Sequence, residues 1–166
     1  FTTAEGLANN DVRALLEDSA GRLWIGTFGG GLQCYDRGQF TTYSPTNGLA
    51  SGFVWALHED KDGVMWIGTE LGLHRLHNGR VTAYGKAQGL PDNLVNFILE
   101  DDQDQLWISH DRGIYRVSRL ALNELAEGRT NSVRCVSYTE ADGLPSEETN
   151  GQKSYPPACK TRDGRL

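Results

Sequence analysis

Cysteine is scarce and poorly spaced for chemistry. Cys34, Cys135 and Cys159 form neither a CxxC pair nor a disulfide framework, so they read as small apolar fillers of strands. Long hydrophobic runs are missing too. No window approaches the roughly 18 apolar residues that a bilayer crossing needs. The opening FTTAEGLANN has neither the basic head nor the apolar stretch of a secretion signal. Basic charge is outweighed, 16 Lys and Arg against 22 Asp and Glu, for a net charge of −6. That sign repels phosphate backbones, so nucleic acid is not an expected partner. No membrane contact and no cofactor is expected either. The chain does not begin with Met and stops at TRDGRL, inside a recurring pattern, so it is expected to be a piece of something longer.

What is present is a repeat. Gly-Leu recurs at Gly6-Leu7, Gly48-Leu49, Gly89-Leu90 and Gly143-Leu144, at spacings of 42, 41 and 54 residues. Trp24, Trp66 and Trp107 step by 42 and 41, each preceded by an acidic pair: Glu17-Asp18, Glu59-Asp60 and Glu100-Asp101. Tyr43, Tyr84 and Tyr138 close the units. A period near 42 points to a solenoid, a propeller or another array. Each period holds four strand-sized segments bounded by Gly, Asn and Asp, and no pair of long runs at the helical period. The expected fold is therefore all-β: a fragment of a β-propeller with four-stranded antiparallel blades.

The compact runs RLWIGT and VMWIGT read as second strands, buried on both faces by neighbouring blades and so continuously apolar. Trp24, Trp66 and Trp107 are then structural wedges. Gly68 and Thr69 are read as ending their strand where the chain turns. The acidic hairpins EDKDG and EDDQDQ are read as turns, not calcium sites, because the spaced oxygen ligands and distal Glu of a calcium loop are absent. No metal is expected. The longer third spacing comes from SRLALNELAEG, residues 118–128, read as an inserted helix with Ser118 as N-cap and Leu120, Leu122 and Leu125 near one face.

These readings give about three and a half blades. Residues 1–5 are read as an outer strand of a preceding blade, 6–47, 48–88 and 89–142 as whole blades, and 143–166 as the start of another. The bare edges would be covered by further blades or by a second copy of the chain.

VRALLEDSAGRLWIGTFGGGLQCYD and VWALHEDKDGVMWIGTELGLHRL resemble the two-component regulator propeller repeat. NFILEDDQDQLWISHDRGIYRV is similar, with Ser109 in place of the repeat's glycine and Gln105 in place of its hairpin glycine. The resemblance implies a periplasmic ligand-sensing input module of a membrane-bound sensor histidine kinase, often hybrid, with carbohydrate as one ligand class. It implies no catalysis by this piece, which carries no phosphoacceptor-histidine or ATP-binding motif. Two other readings stay open: a streptogramin-lyase-like enzyme and a protein-interaction scaffold. For the enzyme, His58, His74, His77 and His110 are the candidate bases, with His110 placed in the loop between second and third strands.

Propeller geometry favours ligand contact by the loops from fourth to first and from second to third strands. That nominates Asn10, Asp11, Phe28, Glu70, Asp92, Asn93, His110, Asp111, Arg112 and Asn150. Trp55 joins them because it projects from an inner strand outside the repeating Trp position.

Overall fold

The computed structural model describes residues 1–145 and 159–161. Asn150 and most of the segment read as a further blade lie outside the described residues.

Three four-stranded antiparallel sheets follow one another along the chain. The first holds β1 (Val12–Glu17), β2 (Leu23–Thr27), β3 (Leu32–Asp36) and β4 (Gln39–Tyr43) in that order. The second holds β5 (Val54–Glu59), β6 (Met65–Thr69), β7 (Gly72–His77) and β8 (Arg80–Tyr84). The third holds β9 (Phe97–Glu100), β10 (Gln105–His110), β11 (Gly113–Ser118) and β12 (Cys135–Tyr138), with α1 (Arg119–Ala126) between β11 and β12. Between sheets, β5 meets β1 and β2, and β9 meets β5 and β6. Contact through the first and second strands makes each sheet the blade of a propeller, with its first strand innermost.

The core lies between blades. Trp24, Leu32 and Cys34 of the first pack on Val54, Met65, Ile67 and Leu76 of the second. Trp66, Leu73 and Tyr84 of the second pack on Ile98, Leu106, Ile108 and Tyr115 of the third. Every residue of β6 is buried, as a strand covered on both faces requires. Trp66 is fully enclosed, which stabilises by roughly 4–6 kcal/mol for a ring of that area. The first blade's other face is uncovered: Leu15 is 59% exposed, whereas its repeat equivalent Ile98 is 3% exposed.

Several sequence expectations need correcting. Residues 1–5 are not a strand: Thr3–Glu5 form a 3-10 turn, closed by the Glu5 carboxylate accepting from the Thr2 amide at 2.8 Å. The same wrap recurs where Asn47 accepts from Ser44, Gln88 from Gly85 and Asp142 from Thr139. FTTAEGL therefore matches the connector after each closing tyrosine, with Phe1 in the tyrosine's place. The residue replacing the hairpin glycine is Asp104, not Gln105. Asp104 adopts φ 59, like Gly21 at 77 and Gly63 at 74, a conformation that Asp tolerates better than most residues.

Gly68 does not end its strand. It pairs with Ala56 and Leu73 inside β6, and a Cβ there would lie 2.6 Å from Val95 Cγ1 of the next blade. Glycine is needed for the close approach of blades. In α1, Ser118 caps the helix by accepting from Ala121 N, but Leu120 is 60% exposed while Leu122 is enclosed, so the leucines do not share a face. Cys34 and Cys135 lie in strands, but Cys159 is exposed outside them.

Candidate ligand-binding face

The loops joining second to third strands and fourth to first strands meet at one end of the blades. Phe28 N–H donates to Asp11 O at 2.8 Å, and the Gly29 and Gly31 amides donate to Gly52 O. Val95 N–H donates to Thr69 O, and Asn96 N–H to Ser109 O. These bonds tie the two loop sets into one surface.

Two clusters of side chains stand on it. The first is aromatic. Phe28, 39% exposed, meets Phe53 edge-on at 4.5 Å and Trp55 at 5.6 Å between ring centroids. Arg13 stands 5.1 Å from the Phe28 ring and 5.7 Å from Trp55, and is held by both oxygens of Asp11 at 2.8 and 2.9 Å. Asn9 Nδ2 donates to Phe28 O at 2.8 Å, and Asn10 is spent on Thr3, accepting from its amide at 2.8 Å. The Trp55 indole nitrogen is buried and meets no acceptor among the described residues.

The second cluster is charged and centres on Asp92. It accepts from Arg112 and from the Asn93 and Leu94 amides, with Lys86 Nζ at 3.6 Å and His110 Nδ1 at 3.9 Å. Burial works against its charge, but Arg112, the two amides and Lys86 outweigh it and pull it down to about 2. Asn93 Oδ1 accepts from Lys86 N, and Asp111 Oδ1 from Asn96 Nδ2, both at 2.9 Å. Glu70 accepts from Ser51 Oγ at 3.2 Å.

His110 is not in a loop. It is the last residue of β10, paired with Gly113, where the other blades have Thr27 and Thr69. It is 5% exposed and packs at 5.6 Å from the Tyr115 ring. Burial, ahead of the opposing pull of Asp92, holds it below the ordinary histidine value. The remaining histidines lie away from this surface. His74 is enclosed in β7 and accepts from Ala50 N–H at 2.9 Å through Nε2. His58 Nε2 lies 3.2 Å from Glu100 Oε2 at the opposite, hairpin end of the strands, and His77 ends β7 there.

Of the residues nominated from the sequence, Asp11, Phe28 and Trp55 stand in one cluster and Asp92, Asn93, His110, Asp111 and Arg112 in the other. Sequence reading missed Arg13, Phe53, Lys86 and Asn96. A signal was available, because Arg13, Trp55 and Asn96 each follow the valine that opens a blade (Val12, Val54, Val95). One further repeated position explains itself. Ala8 N–H donates to Gln33 Oε1 and Ala50 N–H to His74. Pro91, third in this series, has no N–H to give, and the third strand residue is Tyr115, whose hydroxyl meets no partner among the described residues.

The model of the two-component regulator propeller matches residues 6–29, 48–70 and 89–112, one segment in each blade. The chain carries three two-component regulator propeller repeats. No curated protein matches it. Among solved structures, the extracellular domain of the hybrid two-component system BT3049 from B. thetaiotaomicron is 26% identical with a TM-score of 0.73, over 89% of this chain and 19% of that one. The extracellular domain of BT4673 from the same organism is 23% identical with a TM-score of 0.62, over 85% of this chain and 20% of that one. Virginiamycin B lyase from Staphylococcus aureus is 20% identical with a TM-score of 0.60, over 87% of this chain and 45% of that one. The latter two likenesses carry the propeller fold alone. The chain spans about a fifth of the length of the two extracellular domains.

Proposed function

We propose that this chain is part of a ligand-sensing propeller, an input module on the extracytoplasmic side of a two-component signalling protein. The regulator propeller repeats and the likeness to an extracellular two-component domain support that placement. We further propose that the loop end of the blades binds a carbohydrate. The observation that carries this is the half-exposed Phe28 ring, braced by Phe53 and Trp55, beside an Arg13–Asp11 fork already held rigid. An aromatic face stacks on the C–H face of a sugar ring, and fixed carboxylate, guanidinium and amide groups read its hydroxyls.

In this reading the module performs no chemistry. His110 fills a repeat threonine's place against Tyr115, which supports a packing role over that of a base. Further blades, or a second copy, would cover Leu15 and Val12, whose equivalents Ile98 and Val95 are enclosed. The direct test is a glycan panel against the intact propeller, read by thermal shift and calorimetry. A saccharide that stabilises the protein, with at least tenfold weaker binding for Phe28→Ala, supports the reading. Absence of any saccharide response would discard the sugar ligand.

A further inference from the structure

At the opposite, hairpin end lies a cleft between the first and second blades, of about 260 Å3 and lined by Asp18, Arg22, Trp24, Tyr43, Glu59 and Asp62 among others. One repeat along, between the second and third blades, the equivalent place is filled by α1. That helix buries only Arg119 and Leu122. The Arg119 guanidinium lies 3.3 Å from Asp60 and 2.9 Å from Glu100, the repeat equivalents of Asp18 and Glu59. The Leu122 carbonyl accepts from the Tyr84 hydroxyl at 2.9 Å, and Tyr84 is the equivalent of Tyr43. The Leu122 side chain shares a core with Trp66, the equivalent of Trp24. Four residues of the helix's seat therefore recur in the open cleft.

The cleft has charge to match. Asp18, Glu59 and Asp62 line it; Asp18 is held by Arg22 at 2.6 Å and Asp62 by Arg119 of the next cleft. Among the described residues, Glu59 is met only by Ser19, through its amide at 2.7 Å and its hydroxyl at 2.8 Å. The volume falls below the roughly 300–1,000 Å3 of pockets that enclose a drug-sized ligand, and suits a pair of inserted side chains carried by a backbone outside. We propose that this cleft docks a short helical segment of a partner protein. The segment presents Arg or Lys to Glu59, and an aliphatic residue three positions on to Trp24 and Tyr43, as α1 does in the next cleft.

The probe is a fluorescent, hydrocarbon-stapled peptide of sequence SRLALNELAEG, titrated by anisotropy into the protein. The expected result is saturable binding that weakens with salt and falls at least fivefold for Glu59→Gln, for Tyr43→Phe and for Arg→Gln in the peptide. Tyr43→Phe keeps the ring in place, so it reads the contact without disturbing the fold. Tyr84→Phe separates the two clefts and should leave binding unchanged. The proposal is overturned if the peptide does not bind, or if binding ignores these cleft substitutions. Loss with Tyr84→Phe in place of Tyr43→Phe, or competition by a saccharide, would overturn it as well.

Discussion

Asp60 and Trp66 are bonded across a hairpin: the Trp66 indole N–H donates to Asp60 Oδ2 at 2.9 Å, while Oδ1 accepts the Asp62 and Val64 amides at 3.0 Å. Asp18 with Trp24 and Asp101 with Trp107 repeat the arrangement, each at 2.7 Å. One carboxylate thus closes the hairpin and satisfies the one polar atom of the wedge ring. In the outer two, burial opposes the charge, but the indole and the hairpin amides outweigh it and hold Asp18 and Asp101 below the ordinary value. Asp60→Ala leaves the indole, two amides and Arg119 short of an acceptor, and should cost about 3–5 kcal/mol. Asp18→Ala, which strands no Arg119, should cost about 2–3 kcal/mol. Urea unfolding of the two variants gives the comparison, and a loss under 1 kcal/mol for Asp60→Ala would refute the role.

Glycine in the second strand is set by the neighbouring blade, and the two examples differ in a testable way. A Cβ on Gly26 would meet only side chains, with Val54 Cγ1 nearest at 2.6 Å. A Cβ on Gly68 would meet Val95 Cγ1 at 2.6 Å and also the Val95 backbone oxygen at 2.8 Å. Either alanine should destabilise by about 1–3 kcal/mol. Val54→Ala should then recover part of the Gly26→Ala loss in a double-mutant cycle, whereas Val95→Ala should recover little of the Gly68→Ala loss. Equal recovery in both cycles would show that the backbone oxygen is not the obstacle.

The architecture was legible because each blade must bury one wedge ring, so Trp24, Trp66 and Trp107 mark the period. Details that depend on the next blade were not. Gly68 looks like a turn residue until Val95 is placed against it. Asp104 and Gln105 compete for the hairpin glycine's place, and only a backbone angle separates them. His110 resembles a loop histidine because its Asp-Arg neighbours are polar, yet it completes a strand where threonine usually stands. At the loop face, Phe28 and Asp92 were nominated through loop position. Arg13 and Asn96 sit on or before inner strands, outside the loops that the sequence nominated.

Arg119 joins the second and third blades at one point. Its guanidinium contacts Asp60, Asp62, Glu100 and Asp104, and its side chain is 7% exposed. Arg119→Met keeps the aliphatic stem but leaves those carboxylates facing one another, and should cost about 3–5 kcal/mol at neutral pH. Salt screens that repulsion, so the deficit relative to wild type should shrink as ionic strength rises. A deficit that stays constant from low to high salt would mean that Arg119 acts through packing alone.

His74 gives the fold a pH dependence of its own. Burial pushes it from 6.5 down to about 4, while the unfolded chain keeps the ordinary value. Below pH 6.5 the unfolded state therefore binds the extra proton, and stability drains away as pH falls, until the native ring also protonates near 4. Across that window the loss is about 3 kcal/mol. His110, also held down by burial, contributes with the same sign. The depressed carboxylates Asp18, Asp92 and Asp101 act lower, since their stabilisation persists until pH falls below their ordinary value of 3.8. Gln33 shows what can replace His74, for its Oε1 accepts the Ala8 amide at 2.6 Å as His74 accepts that of Ala50. His74→Gln should keep the bond and remove the titration, so stability measured by urea unfolding should fall less between pH 6.5 and 4 than in wild type. An unchanged pH slope in that variant would place the proton uptake elsewhere.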